Sequence, residues 1–171
     1  MEMIKKSGVE KEKFISVIRE HQKLIYKICH TYCADPENRE DLQQEILMQL
    51  WQSFRKFDGR VKISTWIYRI ALNTAISYYR THRRHRDMRI SWDAAVISLP
   101  AGESGIEKEE QIRLLYQFIG QLNELDKALM LLYLDDKSYS EIADILGISE
   151  TNAATKVNRI KGRLKEKFIN H

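Results

Sequence analysis

The chain reads as an all-α protein of two small helical domains joined by a linker. Only two prolines and seven glycines interrupt 171 residues, and 43 % of the positions are apolar. Helix formers are plentiful, and apolar residues recur at helical spacing through most of the length. The first helix runs from about Glu10 to Tyr32, with Phe14, Val17, Ile18, His21, Leu24, Ile25 and Ile28 on one side. Asp35 can cap a second helix with Pro36 at its first position. That helix buries Leu42, Ile46, Leu50 and Phe54 and shows Asp41, Gln44, Glu45, Met48 and Gln52 on its other side. A third helix starts from a Ser64 or Thr65 cap and meets neither Pro nor Gly before Arg86. Its apolar side carries Ile67, Ala71, Thr74, Ala75 and Tyr78, widened by Tyr68, Leu72 and Tyr79. Its polar stripe carries Arg69, Asn73, Ser77 and Arg80, and Trp66 falls inside that stripe. A tryptophan there is either covered by a neighbouring loop or exposed as a base-stacking platform between cations. These helices make a first domain over residues 9–86.

Residues 87–107 lose the helical pattern. Pro100, Gly102 and Gly105 mark a connector, yet Trp92, Val96, Ile97 and Leu99 make it too apolar for a free tether, so it belongs in a groove of this chain or of a partner. The second domain, 108–171, opens with a helix carrying Ile112, Leu115, Phe118, Ile119 and Leu122. A shorter one carries Leu125, Leu129, Leu132 and Tyr133. Ser138 and Glu141 then have capping-box spacing, Ala143 is small where two helices must approach, and Gly147 can take the left-handed turn between them. Ser149 can cap the last helix, whose seam is Ala153, Val157, Ile160, Leu164 and Phe168. This is the grammar of a helix-turn-helix. Asn152, Thr155, Lys156, Asn158, Arg159 and Arg163 face away from the seam, and such side chains donate to phosphates and base edges.

Charge is distributed unevenly. The net value is only +4. Arg55, Lys56, Arg60, Lys62, Arg69, Arg80, Arg83, Arg84, Arg86 and Arg89 nevertheless crowd one region, opposed only by Asp58 and Asp87. A second cluster, from Lys156 to Lys167, lies in the last helix, while the surroundings of Asp41 and Glu141 are acidic. Two basic patches predict two contacts with a polyanion and a different partner elsewhere. Cys29 and Cys33 lie on one side of the first helix and read as buried reduced thiols. Together with His30 they supply too few ligands for a metal, and no cofactor is expected. No apolar run approaches a membrane span and the charged N-terminus lacks a signal-peptide core, so a cytoplasmic protein without membrane insertion is expected. No P-loop, HExxH or GxSxG is present, and isolated carboxylates do not assemble a nuclease site, which predicts a non-enzyme.

The stretches "DLQQEILMQLWQSF", "STWIYRIALNTAISYYR" and "YSEIADILGISETNAATKVNRIKGRL" resemble, in order and spacing, the extracytoplasmic-function class of bacterial RNA polymerase sigma factors. The resemblance implies a region 2 domain that binds core RNA polymerase and melts the −10 element, and a region 4 domain that reads the −35 duplex. It implies that Asp41, Leu42, Gln44, Glu45 and Met48 dock on the polymerase clamp helices. It also implies that the loop Phe57 to Lys62, with Arg60 and Lys62, acts with Trp66, Tyr68, Arg69, Asn73 and Arg80 on the single-stranded −10 element. Thr155, Lys156, Asn158 and Arg159 match the −35 reader, whereas Ala154 departs from the family, where a basic residue is common. An anti-sigma partner is implied as well. The rival reading is a free-standing helix-turn-helix regulator binding duplex DNA without polymerase; it leaves the Trp66 stripe and the Asp41 helix without a purpose.

Overall fold

Seven helices and no strand make up the described residues of the computed structural model, whose backbone is described over 2–82 and 106–169 and whose side chains over 8–82 and 108–169. The linker expectations, including Trp92 and Val96, lie outside the described residues. The first module contains α1 (Glu2–Tyr32), α2 (Pro36–Phe54) and α3 (Ile63–His82). The second contains α4 (Ile106–Gly120), α5 (Glu124–Leu134), α6 (Tyr139–Leu146) and α7 (Glu150–Ile169). Helix α1 begins eight residues before the expected Glu10, because the polar segment ahead of its apolar stripe also has no breaker other than Gly8.

Asp35 caps α2 as its position predicts. Its carboxylate accepts from the Asn38 backbone N–H at 3.0 Å, and Pro36 occupies the turn where no amide donor is missed. Arg39 closes the α1–α2 corner by donating to the Cys33 and Ala34 carbonyls. The three helices then meet over Ile25, Ile28, Leu42, Ile46, Leu50, Ile67, Ala71 and Leu72, all buried. Each of these Leu and Ile side chains contributes about 1.5–3 kcal/mol over an exposed one. Helix α3 starts at Ile63, so Ser64 and Thr65 lie inside its first turn; the Lys62 carbonyl already accepts from Trp66 N–H.

In the second module, Ser138 and Glu141 complete the reciprocal capping box, and Gly147 stops α6 with φ +68°. The Ser149 hydroxyl accepts from the Asn152 N–H at 3.1 Å and caps α7. Helix α5, "ELDKALMLLYL", is buried almost all round, from Asp126 through Leu132. Helices α4, α6 and α7 cover part of it, and α1 and α3 of the first module cover the rest. The buried residues of both modules therefore join in one apolar cluster. At the far end of α7, Leu164 is half-buried and Phe168 is 38 % exposed, so Phe168 lies outside the seam expected of it. The seam loses cover there because α5 and α6 are too short to follow the twenty-residue α7 to its end.

Candidate nucleic-acid interface

The outer face of α7 follows from its seam. Ala153, Val157 and Ile160 are fully buried, so the opposite side of the same helix must face solvent. Asn152, Thr155, Asn158, Arg159 and Arg163 are exposed there, with Lys156 half-buried at the edge. Arg159 approaches the buried Asp126 carboxylate at 3.8 Å, a loose pair that leaves most of its guanidinium free to turn outward. Lys161 is used differently. It donates to the Tyr133 hydroxyl at 2.9 Å and lies over that ring, tying α7 to α5. That hydrogen bond raises the Lys161 pKa. A Cβ added at Gly162 would meet nothing within 4 Å, so no internal packing calls for glycine there.

The α3 surface differs from the sequence expectation. Trp66 is only 9 % exposed. The loop after α2 turns back through Gly59, at φ +75°, and lays Phe57 over the indole at 5.2 Å between centroids, with Phe54 behind it at 6.2 Å. The expected exposed platform at Trp66 is thus corrected to a covered ring, because its large apolar area is worth more against two phenyl rings than against water. Arg60 and Lys62, on the same loop, remain exposed. Asn73 is exposed as well, beside an open cleft of about 550 Å³ between α2 and α3 that Gln49, Ser77, Thr81 and His82 also line.

Tyr68 is buried, as its place on the apolar side of the projection implies, whereas Arg69 is half-buried and Arg80 exposed, each paired with a carboxylate of the second module. Tyr68 is buried and donates its hydroxyl to Asp135, which also receives the Lys27 ammonium. Arg69 donates to the Asp144 carboxylate at 3.1 Å and to its backbone carbonyl at 3.2 Å. Arg80 donates to Glu124 at 2.9 Å. Between these pairs the fully buried Lys127 of α5 lies over the Tyr79 ring at 4.6 Å and the Tyr32 ring at 5.7 Å, and Tyr32 donates its hydroxyl to the Glu124 carbonyl. Burial, with the Glu124 carboxylate adding to it, keeps the Tyr32 phenol protonated far above its ordinary range.

On α2, Asp41 and Gln44 are exposed, Glu45 is half-buried and Met48 is 46 % exposed. Leu42 is fully buried with Ile46 and Leu50, which corrects its place among the surface residues: it holds the helix rather than meeting a partner. Trp51, 36 % exposed and one turn beyond Met48, extends this acidic and apolar face. Its offset from the Leu42–Ile46–Leu50 stripe was the available sequence signal. Cys29 and Cys33 are buried free thiols, and desolvation pushes Cys29 up to about 12.

A helix-turn-helix with a cationic outward face, carried behind a helical module with cations of its own, defines a DNA-reading protein of two modules. The comparisons narrow the class. The family described as Sigma-70 region 2 matches residues 17–85, and that described as Sigma-70, region 4 matches residues 112–164. The RNA polymerase sigma factor SigZ of Bacillus subtilis is 30% identical over 85% of this chain and 81% of its own. The ECF RNA polymerase sigma factor SigW of the same organism is 26% identical over 98% of each chain. Among solved structures, the sigma factor RpoE in complex with the anti-sigma factor NepR from Bartonella quintana shares the fold, with TM-score 0.66 and 20% identity over 91% of this chain and 94% of that one. The chain belongs to the sigma-70 family, in its extracytoplasmic-function class, and directs promoter recognition with RNA polymerase. No helix among the described residues is long and apolar enough to cross a membrane.

Proposed function

We propose that three faces of this chain divide the work of initiation, with residues 9–86 and 108–171 as the two working domains. The α2 face of Asp41, Gln44, Glu45 and Met48, with Trp51, docks on core polymerase: carboxylates answer a basic partner, and the exposed sulfur and indole answer its apolar parts. Asn152, Thr155, Lys156, Asn158 and Arg159 enter the major groove of the −35 duplex. Arg60, Lys62, Arg69, Asn73 and Arg80 hold the unpaired −10 strand, and the cleft beside Asn73 gives an extruded base room. Trp66 serves this site from below, by holding Phe57 and hence the loop that carries Arg60 and Lys62. Tyr68 joins it once its hydroxyl leaves Asp135. The protein acts without catalysis of its own, in the cytoplasm, and answers to an anti-sigma factor, as the RpoE–NepR complex does.

The observation that carries this reading is the outward α7 face, presented by a capped helix-turn-helix whose seam is fully buried. Gel filtration with bacterial core polymerase tests the division of labour. Stoichiometric co-elution is expected, weakened when Asp41 and Glu45 are both changed to Ala. Co-elution indifferent to that double change would move the docking face off α2.

A further inference from the structure

Gly162 stands in the interior of the twenty-residue α7, well before its end. Glycine there has a cost, because it weakens a helix interior relative to alanine. Two internal reasons for accepting that cost fail. Gly59 and Gly147 adopt positive φ, but Gly162 keeps the backbone of an ordinary helix. An added Cβ would meet nothing within 4 Å, so no neighbour in the fold needs the space either. Gly8 shares both properties, but it precedes the apolar stripe of α1, where no face is assigned to DNA.

The position of Gly162 on its helix sets it apart. At about 100° per residue it lies about 20° from Thr155, opposite the buried seam of Ala153, Val157 and Ile160 and on the stripe of Asn158 and Arg159. Along the axis, Asn152 to Arg159 covers about 10 Å, and the major groove is about 12 Å wide. A reading helix presents its N-terminal residues to the base edges, so the next turn of α7, with Gly162, meets the wall of phosphates. Arg159, one turn before Gly162, and Arg163, next to it, are exposed cations, whereas Lys161 is engaged by Tyr133. Glu166 comes one turn later on the same stripe, is exposed, and repels phosphate. These charges leave the turn at Gly162 as the crossing point.

We infer that one phosphate strand of the −35 duplex crosses α7 at Gly162, and that the missing side chain sets how deeply the helix sits in the groove. Gly162 is thus a positioning residue. It donates nothing, and it vacates the space into which Arg159 and Arg163 draw a phosphate. A methyl group there stands between strand and helix and lifts Asn152, Thr155 and Asn158 off the base edges together. This rests on the assignment of α7 to the −35 duplex.

The test compares Gly162→Ala, Gly162→Leu and Arg159→Ala with wild type, each as the full chain bound to bacterial core polymerase. The probe is a duplex that the wild-type complex recovers from a randomised pool. Gly162→Ala should raise the melting temperature of the free chain by about 2–4 °C. It should nevertheless weaken duplex binding roughly tenfold, the scale of one lost groove contact. Gly162→Leu should weaken it further. The slope of log affinity against log salt should flatten by about one for Gly162→Ala, since one phosphate is no longer neutralised; a merely structural glycine would leave that slope alone. Binding by Gly162→Ala as tight as wild type overturns the inference, whatever the leucine variant does. So does a fall in melting temperature, which would make the glycine an internal packing residue. Arg159→Ala separates the two claims. If it too leaves duplex binding unchanged, the −35 assignment of α7 fails; if it weakens binding while Gly162→Ala does not, only the crossing point is wrong.

Discussion

Trp66 shows what a single residue can hide in a helical projection. By angle it belongs to the polar stripe of Arg69 and Asn73, and by chemistry it refuses water. The conflict is resolved by Phe57, six residues before α3 begins and therefore outside the periodicity of that helix. Trp66→Ala should cost about 3–5 kcal/mol of stability, as buried aromatic truncations do, and chemical denaturation measures it. A loss under 1 kcal/mol, by the ordinary range of surface changes, would mean that the ring is not packed as described. Trp66→Phe should recover most of the loss. Lys127 is the complementary case: a charged residue next to Asp126 reads as surface, yet it is fully buried, with two tyrosines of the other module receiving it.

At the scale of elements, α6 and α7 obey their own sequences. Glu141 is held below its ordinary carboxylate range, first by accepting from the Ser138 backbone N–H. A depressed folded-state pKa means that the bond stabilises α6 fully above the ordinary value of 4.5 and fades as pH falls through the lower folded value. The gap in melting temperature between wild type and Glu141→Ala should therefore narrow from about pH 6 to about pH 3; a constant gap would point to helix propensity instead of the cap. On α7, Arg159→Ala should weaken duplex binding by about 1–3 kcal/mol while leaving polymerase co-elution intact. Equal loss of both activities would detach α7 from the −35 role. Helix α5 is the element that local reasoning undersold. Its stripe of Leu125, Leu129 and Leu132 accounts for one side, but Ala128, Met130 and Leu131 are buried too, which an all-round apolar helix announces only when two bodies cover it.

The whole molecule is two modules closed on each other, and salt acts on that closure as well as on DNA. Phosphate contacts weaken with ionic strength, but so do the pairs from Arg69 and Arg80 to the second module. A titration of oligothymidylate affinity against salt should give a shallower log–log slope for wild type than for a variant carrying Glu124→Gln, Asp135→Asn and Asp144→Asn, which lacks those pairs. Identical slopes would show that the inter-module pairs do not compete with the strand.

The helices, the Asp35 and Ser138 caps, the Gly147 turn and the outward face of α7 were legible in the amino-acid order. Each depends on neighbours within a few turns, where spacing and side-chain chemistry set the outcome. The resemblance to sigma factors was legible for the same reason, since its motifs are local. Leu42's place in the core followed from helical spacing, whereas the cover over Trp66 and the burial of Lys127 depend on what lies across the fold. So does the closure that ties Arg69 and Arg80 to Asp144 and Glu124, residues far apart in sequence. Periodicity says which side of a helix seeks cover; only the packed chain says what supplies it and which charges it brings along.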